Sequence, residues 1–201
     1  LRTRIVLIVL LAVAAAAPLL YVAFRFPDSG PAPTGGAPKA PPLAGTVADF
    51  TPFDPPRPAP VAEFADAQGN AVSLLDFSGK LVLVNLWATW CAPCVREMPS
   101  LDRLQAALGP EGLLILPISV DHQGAAAVQP FYDKIGIENL GIYLDPRSEL
   151  VGLLGAKALP TTLVVSPNGL ALGQLVGDAE WDSPEAMALI RHYLAETGAK
   201  P

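Results

Sequence analysis

Sulfur, imidazole and basic charge are all scarce in this chain, and each shortage excludes something. Its 201 residues include two cysteines and two histidines. Both cysteines, Cys91 and Cys94, fall in the stretch "VNLWATWCAPCVREMP". A structural zinc site needs four ligands, commonly a second cysteine pair. No further cysteine exists, and His122 and His192 are far apart and unpatterned. Attachment of a c-type haem needs a histidine directly after the second cysteine, where Val95 stands. A purely structural bridge across so short a loop would constrain the unfolded chain little. From residue 61 onward eight Lys and Arg face sixteen Asp and Glu, a net charge of −8. Such a surface repels phosphate backbones, so nucleic acid is excluded as a partner. No internal repeat is present, and no cofactor is expected.

The N-terminal part is organised differently from the rest. Residues 5–24, "IVLIVLLAVAAAAPLLYVAF", are uncharged. Twenty helical residues at about 1.5 Å each span the hydrocarbon core of a bilayer. Arg2 and Arg4 precede the run, so the positive-inside bias keeps the N-terminus cytoplasmic and exports the remainder of the chain. A cleaved signal peptide is the rival reading, with small residues at Ala14 to Ala17. The run continues beyond them, however, and Pro18 sits where the cut would fall. Residues 1–26 therefore read as a membrane anchor. Residues 27–60 hold eleven of the 22 prolines and read as a semi-stiff tether, within which "VADF" (Val47 to Phe50) is a candidate docking contact. Residues 61–201 form the folded domain.

Within that domain, "VAEFADAQGNAVSLLDFSGK" alternates and breaks at Gly69-Asn70, which predicts a β-hairpin. "LVLVNLWA" (81–88) and "LLILPISV" (113–120) are near-continuous apolar runs, as strands buried on both faces require. Between them, Val95, Met98, Leu101, Leu104 and Leu108 recur at three and four, predicting a helix from Pro93 to Leu108. Helices are expected at 125–135 and 147–154, then a hairpin turning at Asn168-Gly169. A last helix starts at Asp182 or Ser183, with Pro184 in its first turn. The order implies an α/β sandwich, a central sheet covered by helices on both sides.

Cys91 and Cys94 thus stand where a buried strand hands over to a helix. A thiol at a helix N-terminus has its thiolate stabilised by the dipole and free N–H groups. Cys91 occupies that end, and Cys94 lies one turn inside. Pro93 suits the first turn and stiffens it. Trp90 offers an apolar surface beside the nucleophile. These neighbours favour a redox couple. A copper site built from Cys91, Cys94 and His122, the latter following a strand end, stays open as an alternative.

"LVNLWATWCAPCVREMPSLDRL", with "GNAVSLLDFSGK", "LPTTLVV" and "GDAEWDSPEAMALI", resembles the thioredoxin superfamily, most closely its TlpA-like branch of membrane-anchored bacterial thiol–disulfide oxidoreductases. The resemblance implies a thioredoxin fold, a mixed sheet flanked by helices with an N-terminal β-hairpin extension. It also implies a domain in the periplasm of the bacterial inner membrane that reduces disulfides in client proteins. Those clients are periplasmic or membrane-bound, in cytochrome oxidase copper-site assembly or cytochrome c maturation, and a membrane thiol carrier supplies the electrons. By position, Cys91 is the attacking thiol and Cys94 the resolving one. Pro160 matches the family's cis proline, and the Leu159 backbone would pair with the client, next to Thr161. The buried aspartate of thioredoxins is replaced by Asn85, which accepts no proton; Glu97 matches an acid of the branch and is the candidate proton acceptor. Trp181 is expected to pack under the last helix. The opposite direction, a disulfide-donating oxidant, remains an alternative. A peroxidase on a related fold would need Thr or Ser at Ala88.

Overall fold

The computed structural model describes residues 40–200. The expected anchor (1–26) and the first part of the tether lie outside these residues, and among the described residues no helix is long and apolar enough to cross a membrane. Eight strands form one mixed sheet: β1 (Thr51–Pro58), β2 (Glu63–Asp66), β3 (Ala71–Ser73), β4 (Leu81–Trp87), β5 (Leu113–Ser119), β6 (Tyr143–Leu144), β7 (Thr161–Val165) and β8 (Leu170–Val176), in the order β1-β8-β7-β4-β5-β6-β2-β3. The helices are α1 (Ala92–Leu108), α2 (Ala125–Ile135), α3 (Glu149–Leu154) and α4 (Pro184–Thr197). Parallel pairing of β4 with β5, and antiparallel pairing of β4 with β7 and β7 with β8, make the thioredoxin-like centre. The β2–β3 hairpin extends the sheet beyond β6.

Every residue of β4 is buried, as the unbroken apolar run requires. The pleat sends alternate side chains to opposite faces. Leu81, Leu83 and Trp87 join the larger apolar cluster, packed against Met98, Leu101 and Leu104 of α1, Val128 of α2 and Leu189 of α4. Val82, Val84 and Leu86 face the smaller cluster, with Phe64 of the hairpin and Leu150 of α3. Asn85 falls on the α1 side, a polar residue in a fully buried strand. α4 is capped as its sequence predicts: the Ser183 hydroxyl accepts from the Ala186 N–H at 3.2 Å, and Pro184 occupies the first turn.

The boundary at residue 61 requires correction. Residues 45–47 form a short 3-10 turn, and β1 spans eight residues that composition places in the tether. Proline cannot donate to a ladder, yet an edge strand needs only one of its two sides paired. β1 lies at the sheet edge against β8, with the pairing broken between Pro52 and Arg57. The "VADF" contact is real: Val47 and Phe50 are buried, and the Phe50 ring lies 5.9 Å from that of Tyr193 on α4. It also lies so close over β8 that Gly173 has no room for a side chain.

Deleting a buried phenylalanine side chain costs about 3–5 kcal/mol. Phe50→Ala in a 40–201 fragment is therefore expected to lower the thermal midpoint by many degrees, and a 61–201 fragment should be less stable still. Equal melting curves for the three would show that this segment is not part of the folded unit.

Candidate active site

The loop between β4 and α1 is fixed from below. Asp121, buried just past β5, accepts the Thr89 N–H at 2.9 Å, the Thr89 hydroxyl at 2.7 Å and the Ser119 hydroxyl at 2.8 Å. The Cys91 N–H donates to the Ala88 carbonyl at 3.1 Å. Cys91 is the N-cap of α1, and Pro93 lies in the first turn. The pair is a disulfide, with an S–S distance of 2.05 Å. The Cys94 N–H points at Cys91 Sγ at 3.4 Å, a donor that would favour the Cys91 thiolate once the bond is reduced. Cys91 is 6% exposed and Cys94 not at all, so an incoming sulfur meets Cys91 first. Trp90 is 70% exposed beside it, a large aromatic surface in contact with water.

Antiparallel register sets Leu86 of β4 opposite Thr161 of β7, which brings Pro160 to the end of β4 from which the cysteine loop departs. The Leu159–Pro160 bond is cis, as the resemblance implies. Gly177 donates its N–H to the Pro160 carbonyl at 2.9 Å, and the Thr161 hydroxyl donates to the Ala158 carbonyl at 2.7 Å. Cys91, Cys94, Trp90, Pro93, Leu159, Pro160 and Thr161 thus belong to one end of the central strands.

His122 does not join them as a ligand. It is exposed, its Nδ1 lies 2.9 Å from the Pro146 carbonyl, and among the described residues no group of three or more His, Cys, Asp or Glu side chains is placed to hold a metal. The copper alternative built on Cys91, Cys94 and His122 is therefore corrected: the backbone that follows β5 turns this side chain to the 146 loop instead.

Glu97 is the centre of the site's polar interior. It is 1% exposed. Its Oε1 accepts from Asn85 Nδ2 at 2.8 Å; its Oε2 accepts from the Ala179 N–H at 3.2 Å and from the Trp181 indole N–H at 3.0 Å. Asn85 Nδ2 also donates to the Thr162 hydroxyl at 3.0 Å. Burial pushes the Glu97 carboxyl up to about 7; the three donors pull against that shift, and the nearby Asp178 adds to it. Asp178 is itself paired with Arg96 at 3.0 Å.

Sequence reasoning placed Glu97 in the site but missed its cage. The indole of Trp181, buried under the last helix as expected, is also a hydrogen-bond donor to the acid, and no spacing links residues 181, 179 and 162 to residue 97. One signal was available. Steps of three and four from Cys94 through Glu97, Leu101 and Leu104 to Leu108 place the carboxylate on the buried stripe of α1.

Similarity to known proteins bears on this arrangement. A family model described as the AhpC/TSA family matches residues 55–171, more than half of the chain. The thiol-disulfide oxidoreductase ResA of Bacillus thuringiensis (strain Al Hakam) is 29% identical over 134 residues, covering 67% of this chain and 76% of the relative. The ResA protein of Geobacillus thermodenitrificans (strain NG80-2) is 33% identical over 111 residues, covering 55% of this chain and 63% of the relative. Among solved structures, a Chlorobium tepidum protein assigned as the thiol:disulfide interchange protein DsbE superposes with a TM-score of 0.63 at 27% identity, covering 69% of this chain and 96% of that one.

The raised carboxyl has a sign-definite effect on stability. Its folded value of about 7 lies above the ordinary 4.5, so the folded state holds this proton more tightly than the unfolded chain. The contribution is full below the unfolded value and is lost as pH rises through the folded one, about 3 kcal/mol in all. Glu97→Gln should abolish that fall, so that the difference in unfolding free energy between wild type and variant changes from pH 5 to pH 8 by about this amount. Denaturant titrations giving a pH-independent difference would show that Glu97 is ionised throughout.

Proposed function

The chain belongs to the AhpC/TSA family and is a thiol–disulfide oxidoreductase with a Cys-X-X-Cys couple, and from this premise we propose that it reduces disulfides in partner proteins outside the cytoplasm. The observation that carries the reading is the asymmetry of the couple: a slightly exposed Cys91 with an N–H aimed at its sulfur, a fully buried Cys94, and a buried acid one helical turn further on.

In the reductive direction the couple starts as two thiols. The Cys91 thiolate attacks one sulfur of a client disulfide, a mixed disulfide forms, and the second client sulfur leaves as a thiolate that takes a proton from water. Cys94 gives its proton to Glu97, and the resulting thiolate attacks Cys91 Sγ. The first client sulfur then departs as a thiolate, the client has gained two electrons, and Cys91–Cys94 is the disulfide seen in the structure. A group holding its proton near neutral pH suits this work, because the ideal acceptor titrates near the operating pH. Asn85, at the place of the thioredoxin aspartate, leaves the task to Glu97. Trp90 and the Leu159–Thr161 segment supply the client-facing surface, with the client backbone added beside residue 159 as a short strand.

The cellular setting is inferred from the N-terminal sequence. An anchor at residues 1–26 holds the domain at the periplasmic face of a bacterial inner membrane. Its clients are membrane-bound or periplasmic proteins of cytochrome oxidase or cytochrome c assembly. A membrane thiol carrier re-reduces the couple, because that compartment is kept oxidising. A peroxidase, the other chemistry weighed for a fold of this kind, would need a hydroxyl at position 88, and Ala88 has none.

Two measurements test this. Equilibration with dithiothreitol is expected to give a potential near −270 mV or below, as for thioredoxin-type reductants; one close to about −120 mV would reverse the direction of electron flow. Separately, Cys94→Ser should accumulate mixed disulfides through Cys91, while Cys91→Ser accumulates none. Equal trapping by both variants would contradict the assignment of attacking and resolving thiols.

A further inference from the structure

The cage around Glu97 is asymmetric in a way that decides where a proton can sit. Oε2 faces two backbone-fixed or packed N–H donors, those of Ala179 and Trp181, neither of which can accept. Oε1 faces a single donor, Asn85 Nδ2. A proton arriving on Oε2 would displace one of two fixed donors, so it must arrive on Oε1. On the lone pair that Asn85 Nδ2 now uses, it would meet the NH2 group donor against donor. The other end of the same amide, Asn85 Oδ1, is buried with no hydrogen-bond partner, an orphan acceptor of the kind native interiors rarely leave.

We propose that Asn85 is the positioning residue for the Glu97 proton: the proton is carried on Oε1, and the Asn85 amide turns over by half a revolution so that Oδ1 accepts it. The turn conserves the bond count. With Glu97 ionised, Nδ2 donates to Glu97 Oε1 and to Thr162 Oγ1. With Glu97 protonated, Oδ1 accepts from the Glu97 hydroxyl and from the Thr162 hydroxyl, which changes from acceptor to donor by rotating its hydrogen. One end of the amide is unpaired in either state, the carbonyl oxygen before the turn and the NH2 group after it, so the turn is driven by the proton. Because Thr162 pairs directly with Asn85 across β4 and β7, and lies two residues after Pro160, the protonation state of the acid is registered on the strand that carries the client-binding segment.

The charged groups facing Glu97 are few. Asp178 approaches from the loop after β8 and is neutralised by Arg96 on α1; Glu180 lines the same small pocket. The disulfide presents no titrating group, and β4 and β7 contribute only the neutral Asn85 and Thr162. The inference rests on Glu97 being the acid that changes protonation in the cycle above.

The test is a pH titration of the full-length oxidised chain in detergent micelles, labelled with 15N-asparagine and 13C-glutamate and followed by NMR. The chain has four asparagines, so the Asn85 side-chain NH2 is readily assigned. Its two proton shifts are expected to inflect at the same pH as the Glu97 carboxyl carbon. Its NOE contacts to the Thr162 and Glu97 side chains should be present at high pH and lost at low pH. Glu97→Gln should show the low-pH pattern at every pH, because the glutamine oxygen must face Ala179 and Trp181 and its NH2 must then face Asn85. A Glu97 that titrates while Asn85 stays silent, or an Asn85 NH2 that still faces Thr162 in the protonated state, overturns this inference and leaves the proton-acceptor role standing. A Glu97 carboxyl carbon that shows no titration across neutral pH overturns both.

Discussion

A carboxylate taken out of water is the constraint to which the rest of this site answers. Glu97 is buried at 1% exposure, and an unpaired ion there would be prohibitively costly. The fold meets that cost with three donors from two places: Asn85 from the middle of the sheet, and the Ala179 backbone and Trp181 indole from the loop between β8 and α4. The acid sits on α1 and its donors come from β4 and from that loop, so it holds these three elements in one relation. The compensation is incomplete, and the shortfall appears as a carboxyl whose proton is held near neutral pH. Structural glue and proton chemistry are two consequences of the same burial.

The cysteine pair is held by a more ordinary device. β4 ends in a loop whose Thr89 is gripped by Asp121 through both backbone and hydroxyl. The following helix is capped by Cys91 itself, so the strand's position in the sheet fixes the sulfur's position at the surface. Burial then distinguishes the two thiols that spacing alone treats alike. The same end of the sheet carries the cis Pro160, brought there by antiparallel register and not by proximity in sequence.

Much of this was legible in the residues. The buried strands at 81–87 and 113–119, the helix after Pro93, the hairpin turn at Asn168-Gly169 and the Ser183 cap each follow from a local rule of periodicity or turn chemistry, and local rules survive tertiary packing when nothing opposes them. Features that depend on non-local partners were not legible. Proline-rich residues 51–58 read as tether because composition counts donors lost, whereas an edge position asks for few of them. The two-residue strand β6 is too short for any periodicity to mark it. Glu97 could be located by its motif, but its protonation behaviour is decided by Ala179, Trp181 and Asn85, whose arrival around it is a property of the assembled fold.

The proline content of β1 has a further consequence for a protein of this occupation. Under the proposed function the domain meets other polypeptide chains, and a long exposed sheet edge would pair with any unpaired strand among them indiscriminately. Here one edge strand carries four prolines and a break in its ladder, and the opposite edge is the three-residue strand β3. Neither offers a long template of free N–H and C=O groups. On the proposed function, backbone capture would thereby be steered away from the rims of the sheet and toward the segment beside the cysteines, where an extended visitor would find sulfur within reach.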